Sequence, residues 1–130
     1  MKADDFVNLQ QLLSRYCHIV DTTAWDNLDQ IFTADASVTV VGVYPTATGL
    51  DDLRSLYARM NHPVAHTSSS LIVVDSGDDT ARLASKWVTV RADGLTGTGV
   101  YDDVVVRTPA GWRISERVAR PAVAPRPVQA

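Results

Sequence analysis

Three side chains in this sequence have the types and placement needed to move a proton on a small molecule: Tyr16, Asp21 and His66. Tyr16 shares a helical face with apolar neighbours, so its ring points inward and its hydroxyl needs a buried partner. It can donate a hydrogen bond to a carbonyl or enolate oxygen, or it can be a core tyrosine bonded to a backbone carbonyl. Asp21 closes the same helix, where a carboxylate meets the negative end of the dipole and calls for compensation. Beside a histidine it would orient the imidazole and stabilise its protonated form; otherwise it is an exposed helix-end acid or the cap of the next helix. His66 follows Pro63 at the entry to a strand, and an ordinary imidazole pKa of about 6.5 suits acid–base work near neutrality. The alternative is a satisfied histidine at a strand end. Tyr44, Trp87 and Tyr101 would line a cavity for a flat, largely apolar ligand if their strand faces turn inward, and are sheet packing if they do not.

Other candidates are weaker. His18 falls on a different helical face from Tyr16, and His62 sits in the turn before Pro63. His62 and His66 have the separation of a helical metal pair, but Pro63 breaks the helix between them and no third ligand is near, so no metal is expected. Gly94 to Gly99 joins two strands and opens no helix, which suits a hairpin rather than a phosphate cradle. Ser68, Ser69 and Ser70 lack the flanking glycines of a nucleophile elbow.

These residues need elements to hold them. Phe6, Leu9, Leu12, Leu13, Tyr16, Cys17 and Val20 recur at three- and four-residue intervals and predict a helix over residues 5–20, with Asp4 or Asp5 capping its first turn. Trp25, Leu28, Ile31 and Phe32 predict a second, shorter helix ending near Ala34. Residues 37–43 are β-branched and predict a strand, with turn signals from Pro45 to Gly49. Leu50, Leu53, Leu56, Tyr57 and Met60 predict a third helix, stopped by Pro63. Alternation then replaces helical spacing, and strands are expected over residues 69–75, 80–91, 100–107 and 112–118, joined by short glycine-bearing turns as an antiparallel meander. The expected fold is α+β, a curved antiparallel sheet covered on one face by three N-terminal helices. Residues 1–120 form one domain, and residues 121–130 are expected to be a flexible proline-rich tail.

Composition agrees with a single domain. The chain has 130 residues, 45% hydrophobic and 21% charged, enough to remove roughly two-thirds of its unfolded surface from water. Its formal charge is -3 with the basic residues scattered, so no cationic stripe suits nucleic acid. No segment approaches the about 20 apolar residues of a membrane span, and the N-terminus does not read as a signal peptide. A cytoplasmic protein is expected. Cys17 is the only cysteine, which rules out an internal disulfide.

Four strings resemble those of SnoaL-like proteins in the nuclear transport factor two-like superfamily, with scytalone dehydratase, ketosteroid isomerase and polyketide cyclases as relatives. They are Leu13-Ser14-Arg15-Tyr16 with Asp21, then Trp25-Asp26-Asn27-Leu28 running to Ile31-Phe32-Thr33-Ala34-Asp35-Ala36. The others are Asp75-Ser76-Gly77-Asp78-Asp79-Thr80-Ala81 and Gly99-Val100-Tyr101-Asp102-Asp103, the latter ending in Gly111-Trp112-Arg113-Ile114 and Arg117. The resemblance implies a cone-shaped fold with Tyr16, Asp21 and His66 as the catalytic set, Tyr44, Trp87 and Tyr101 around the substrate, and no cofactor. It also implies a lyase or isomerase of the dehydratase or cyclase type, acting on a carbonyl-bearing polycyclic or aromatic small molecule. The chain departs from the pattern on the strand after the histidine strand. Where dehydratases carry a second histidine or aspartate, residues 80–91 offer Ser85, Lys86, Trp87 and Thr89, so one imidazole would have to take and return the proton. A non-catalytic ligand-binding or assembly domain and an epoxide-opening hydrolase are the alternatives on the same frame. Val88, Val104 and Val106, apolar on the outer register of the sheet, point to a homo-oligomer, dimer or trimer.

Overall fold

The computed structural model describes residues 1–60 and 62–122. The first helix, α1 (Ala3–Asp21), buries Leu9, Leu12, Leu13, Tyr16, Cys17 and Val20 along one stripe. Asp5 reaches back to the Lys2 N–H at 3.2 Å, satisfying one of the orphan donors that every helix start leaves. At the other end the Thr22 N–H and hydroxyl both donate to the His18 carbonyl.

The second helix differs from expectation. It is a short 3₁₀ helix, Trp25–Gln30, and Phe32 already belongs to strand β1 (Phe32–Val40). The spacing of Leu28, Ile31 and Phe32 fits a helix, but the pairing of Phe32 with Ile114 on the last strand wins over local periodicity. The turn signals after Gly42 enclose a strand as well, β2 (Tyr44–Thr48). Its Pro45 is tolerated because β2 is an edge strand, where a missing donor costs no ladder bond. Gly49, at φ 89, opens α2 (Leu50–Arg59), a backbone conformation that residues with a Cβ avoid.

Four long strands follow: β3 (Ala65–Ser76), β4 (Thr80–Val90), β5 (Thr96–Thr108) and β6 (Gly111–Pro121). The six-stranded sheet runs β2-β1-β6-β5-β4-β3, and it is curved. Neighbours are antiparallel except β1 and β6, which run parallel. Pro121, expected in the tail, instead closes β6 opposite Gly99, and the Ala122 N–H donates to the Thr98 carbonyl at 2.9 Å. Residues 123–130 of that tail lie outside the described residues.

Helices α1 and α2 cover the inner face, over a core that includes Leu9, Leu53, Leu56, Leu83, Val105 and Ile114. Bulges in β3 and β6 shape that face. In β3 the register slips between Ser69 and Ile72, with Ser70 at φ 55, so the less exposed positions change from His66 and Ser68 to Leu71 and Val73. In β6 a second slip, opposite Val104 and Val105, separates buried Trp112 and Ile114 from buried Arg117 and Ala119. Ile72, Val74, Val88, Val90 and Val100 are exposed. No helix among the described residues is long and apolar enough to cross a membrane.

Candidate active site

A cavity of about 190 Å³ opens between α1, α2 and the sheet, and Tyr16 and His66 both line it. Tyr44, Trp87 and Tyr101 line it too, so all three aromatic side chains turn inward. Its size is close to that of an apolar cavity of about 150 Å³ known to take up benzene. A ligand of one or two rings fits within this volume.

Tyr16 is 5% exposed. Its hydroxyl meets a side chain rather than a backbone carbonyl: the Tyr57 hydroxyl from α2 lies 3.0 Å away. The Tyr16 ring stands edge-on to Phe32, Tyr57, His66 and Tyr101, which leaves its orientation little freedom. Burial, followed by the neighbouring Tyr16 phenol, pushes the Tyr57 pKa well above the usual tyrosine value, so Tyr57 stays a neutral partner.

Asp21 does not line the cavity. It stands behind His66, with Oδ1 at 2.5 Å from the ring Nδ1 and Oδ2 accepting the His66 backbone N–H at 3.0 Å. The carboxylate at the unfavourable helix end is thereby compensated by two donors. A carboxylate oxygen accepts, so Nδ1 carries a hydrogen, and in the neutral form of the ring Nε2 is the bare nitrogen. His66 lies within β3, opposite Thr89 of β4, rather than before the strand. Thr89 also lines the cavity, and it stands where a second acid or base was sought.

Arg117 was not singled out as a site residue by sequence reasoning. It is 1% exposed and forms a two-bond pair with Asp103, at 2.8 and 2.9 Å. Its guanidinium lies 3.7 Å from the Tyr101 ring centre and 4.3 Å from that of Tyr16. Burial alone would lower its pKa, but the charge and bonds of Asp103 outweigh this and hold it well above the ordinary arginine value. Arg117 lines the cavity, and its Nη1 is buried without a partner among the described residues. A buried donor left unpaired costs about 1–3 kcal/mol, and a carbonyl or enolate oxygen in the cavity would relieve it. The available signal was an Asp and an Arg at inward positions of adjoining strands.

Sequence reasoning gave no site role to two other cavity neighbours. Tyr57 sits on the apolar face of α2 and reads as core. His62 lines the cavity beside Pro63, in a loop with no periodicity to place it, and burial lowers its pKa. Two glycines of the β4–β5 hairpin have a packing reason: a Cβ on Gly99 would lie 2.5 Å from the Trp87 indole, and one on Gly97 would lie 2.8 Å from the Thr89 hydroxyl oxygen. Cys17 is buried and its thiol pKa is raised by that burial, which leaves it a core residue. Among the described residues no group of three or more His, Cys, Asp or Glu is placed to hold a metal ion.

The pattern of the SnoaL-like domain matches residues 1–118. An uncharacterized protein of Mycobacterium tuberculosis is 32% identical, over 88% of this chain and 83% of its own length. An NTF2-like protein with a cystatin-like fold from Novosphingobium aromaticivorans superposes with a TM-score of 0.81 at 25% identity, covering 94% of this chain and 84% of that one. A protein from the same organism named as a candidate scytalone dehydratase gives a TM-score of 0.78 at 19% identity, covering 99% and 95%.

Proposed function

Since this chain belongs to the SnoaL-like domain family, we propose that it is a cofactor-free lyase or isomerase that moves a proton on a small, flat, carbonyl-bearing molecule. The observation that carries this reading is the grip of Asp21 on both donors of His66, which leaves Nε2 as the free nitrogen of a cavity-lining imidazole. The substrate carbonyl oxygen accepts from Arg117 Nη1 and from the Tyr16 hydroxyl, with Tyr57 donating to Tyr16 in turn. Nε2 takes the proton from the adjacent carbon, the C–H electron pair forms the enolate, and Asp21 stabilises the resulting imidazolium. In a lyase the imidazolium then protonates a β-hydroxyl, whose C–O bond breaks as the enolate collapses and water leaves. In an isomerase it returns the proton to another carbon. The name of the scytalone dehydratase-like neighbour favours the first course. Trp87, Tyr44 and Tyr101 hold the ring. The hydrolase alternative finds no support, because Asp21 is engaged with His66 and Asp103 with Arg117.

The test needs no natural substrate. In deuterated buffer, 2-tetralone followed by NMR should exchange its α-protons faster with the protein than without it, and His66→Gln should lower that catalysed rate by about 10² to 10⁴. A folded His66→Gln variant with the wild-type rate would falsify the role of His66, and binding of 2-tetralone without catalysed exchange would favour the ligand-binding domain.

We also propose a homo-oligomeric protein of the cytoplasm. The exposed Ile72, Val74, Val88, Val90 and Val100 support burial against a second copy, and the unpaired Cys17 suits a reducing compartment. Sedimentation at micromolar concentration should give a dimer or trimer; a monomer overturns the assembly.

A further inference from the structure

Two imidazoles line the cavity, and they are fixed in opposite senses. His66 has its Nδ1 held by Asp21, the last residue of α1. His62 has its Nε2 at 2.5 Å from the carbonyl oxygen of Tyr57, in the last turn of α2. A carbonyl only accepts, so the Nε2 of His62 carries a hydrogen. The ring is held flat as well. It lies against Trp25 at 5.0 Å between centres and stacks on Tyr57 at 6.1 Å with 15° between planes. With Nε2 committed to the helix, the Nδ1 of the neutral ring is a bare acceptor. It has no hydrogen-bond partner among the described residues, and it is not one of their buried orphaned atoms. Burial lowers the pKa of His62 and outweighs the opposing hydrogen bond to the Tyr57 carbonyl, which favours the neutral ring.

The cavity is lined by Arg117, whose Nη1 is unpaired among the described residues, by His66, whose Nδ1 is held by Asp21, and by His62, whose Nδ1 has no assigned use. We propose that His62 sets the specificity of this site: its Nδ1 accepts the hydrogen bond of a hydroxyl group on the bound molecule, which makes the substrate class a hydroxyl-bearing, flat carbonyl compound of one or two rings. This rests on the reading of the cavity as a small-molecule site. A ligand without that hydroxyl leaves Nδ1 dry and unpaired, and a site with a buried hydrogen-bonding group discriminates against analogues that cannot satisfy it. In the lyase course the same bond holds the hydroxyl through its hydrogen, so that the oxygen lone pairs remain open to the His66 imidazolium. His62 is then a positioning residue for the leaving group.

The probes are 2-naphthol and its near-isostere 2-fluoronaphthalene, which lacks the donor, titrated by calorimetry at neutral pH. The wild type should bind 2-naphthol about tenfold more tightly. His62→Phe keeps the stacked ring and should lose the preference, and His62→Gln keeps an acceptor and should retain part of it. A preference that survives in His62→Phe overturns the proposal, as does equal or absent binding of the two probes by the wild type. The 2-tetralone exchange separates the two readings. Exchange without a hydroxyl preference removes His62 alone, and a hydroxyl preference without exchange removes the proton transfer alone.

Discussion

The buried pair of Asp103 and Arg117 can be taken apart in a way that separates stability from site chemistry. Both side chains are at most 1% exposed, so removing one partner leaves the other charged and dry, a cost of about 3–5 kcal/mol. Asp103→Val and Arg117→Met should each lose that much, or roughly 12–20 °C in Tm for a domain of this length. The double variant removes both charges and replaces them with apolar groups. It should recover most of the loss, falling short mainly by the cation–π contacts of Arg117 with Tyr16 and Tyr101, roughly 0.5–2 kcal/mol each and partly restored by the Met sulfur. Urea denaturation of the four proteins, followed by tryptophan fluorescence, should give a coupling energy of about 3 kcal/mol or more. The same double variant, folded, should lose 2-tetralone exchange by about 10² to 10³, the effect of removing one donor from a developing oxyanion. Additive single losses would refute the account of the pair. A folded double variant with undiminished exchange would refute Arg117 as the carbonyl donor.

Asp5 predicts an acid-sensitive contact at the start of α1. Its carboxyl is lowered from 3.8 to about 2, chiefly by the Arg107 hydrogen bond, with burial opposing and Lys2 and Trp112 assisting. A carboxyl depressed on folding contributes stability above its unfolded pKa and loses it as the pH falls through the folded one. The urea midpoint should therefore fall between pH 4 and 2 more steeply in the wild type than in Asp5→Asn, and parallel curves would count against the contact. Gly99→Ala would drive a Cβ into the Arg120 carbonyl oxygen, a backbone atom held in β6, and set it 2.5 Å from the Trp87 ring. A loss of about 1–3 kcal/mol is expected in denaturant. Gly77→Ala, whose nearest contact is 3.6 Å, should stay within about 0.5 kcal/mol, and equal effects at the two glycines would remove the packing argument.

Most of the frame was legible because its periodicities are unbroken over long stretches. Leu9, Leu12, Leu13, Tyr16 and Val20 mark one helical stripe, and Ala81, Leu83 and Ser85 alternate inward along β4. Trp25 to Phe32 misled because Ile31 and Phe32 are adjacent apolar residues that fit a helix or a strand, and the deciding partner, Ile114, lies far along the chain. β2 was hidden by Pro45, which reads as a turn unless the strand is known to be an edge. For the site, Tyr16 and His66 line one cavity together with Tyr44, Trp87 and Tyr101, whereas Asp21 supports His66 from behind. Arg117 and His62 were harder. A charged residue in a strand is ordinarily a solvated face, and only the pairing of β5 with β6 reveals Asp103 as its mate. The orientation of His62 depends on the end of α2, which no spacing encodes.

The bulge at Ser70 in β3 and the one in β6 each divide an inward face into two phases. In β3 the inward positions are even-numbered before the slip, His66 and Ser68, and odd-numbered after it, Leu71 and Val73; in β6 they pass from Trp112 and Ile114 to Arg117 and Ala119. Each strand is therefore written as two short words with independent reading frames, one spelling apolar core and the other spelling cavity wall. Removing Ser70 would merge the frames of β3, and if the core end kept its packing, His66 and Ser68 would be turned outward. The single extra residue is thus what lets the polar wall change its sequence without asking the core to move.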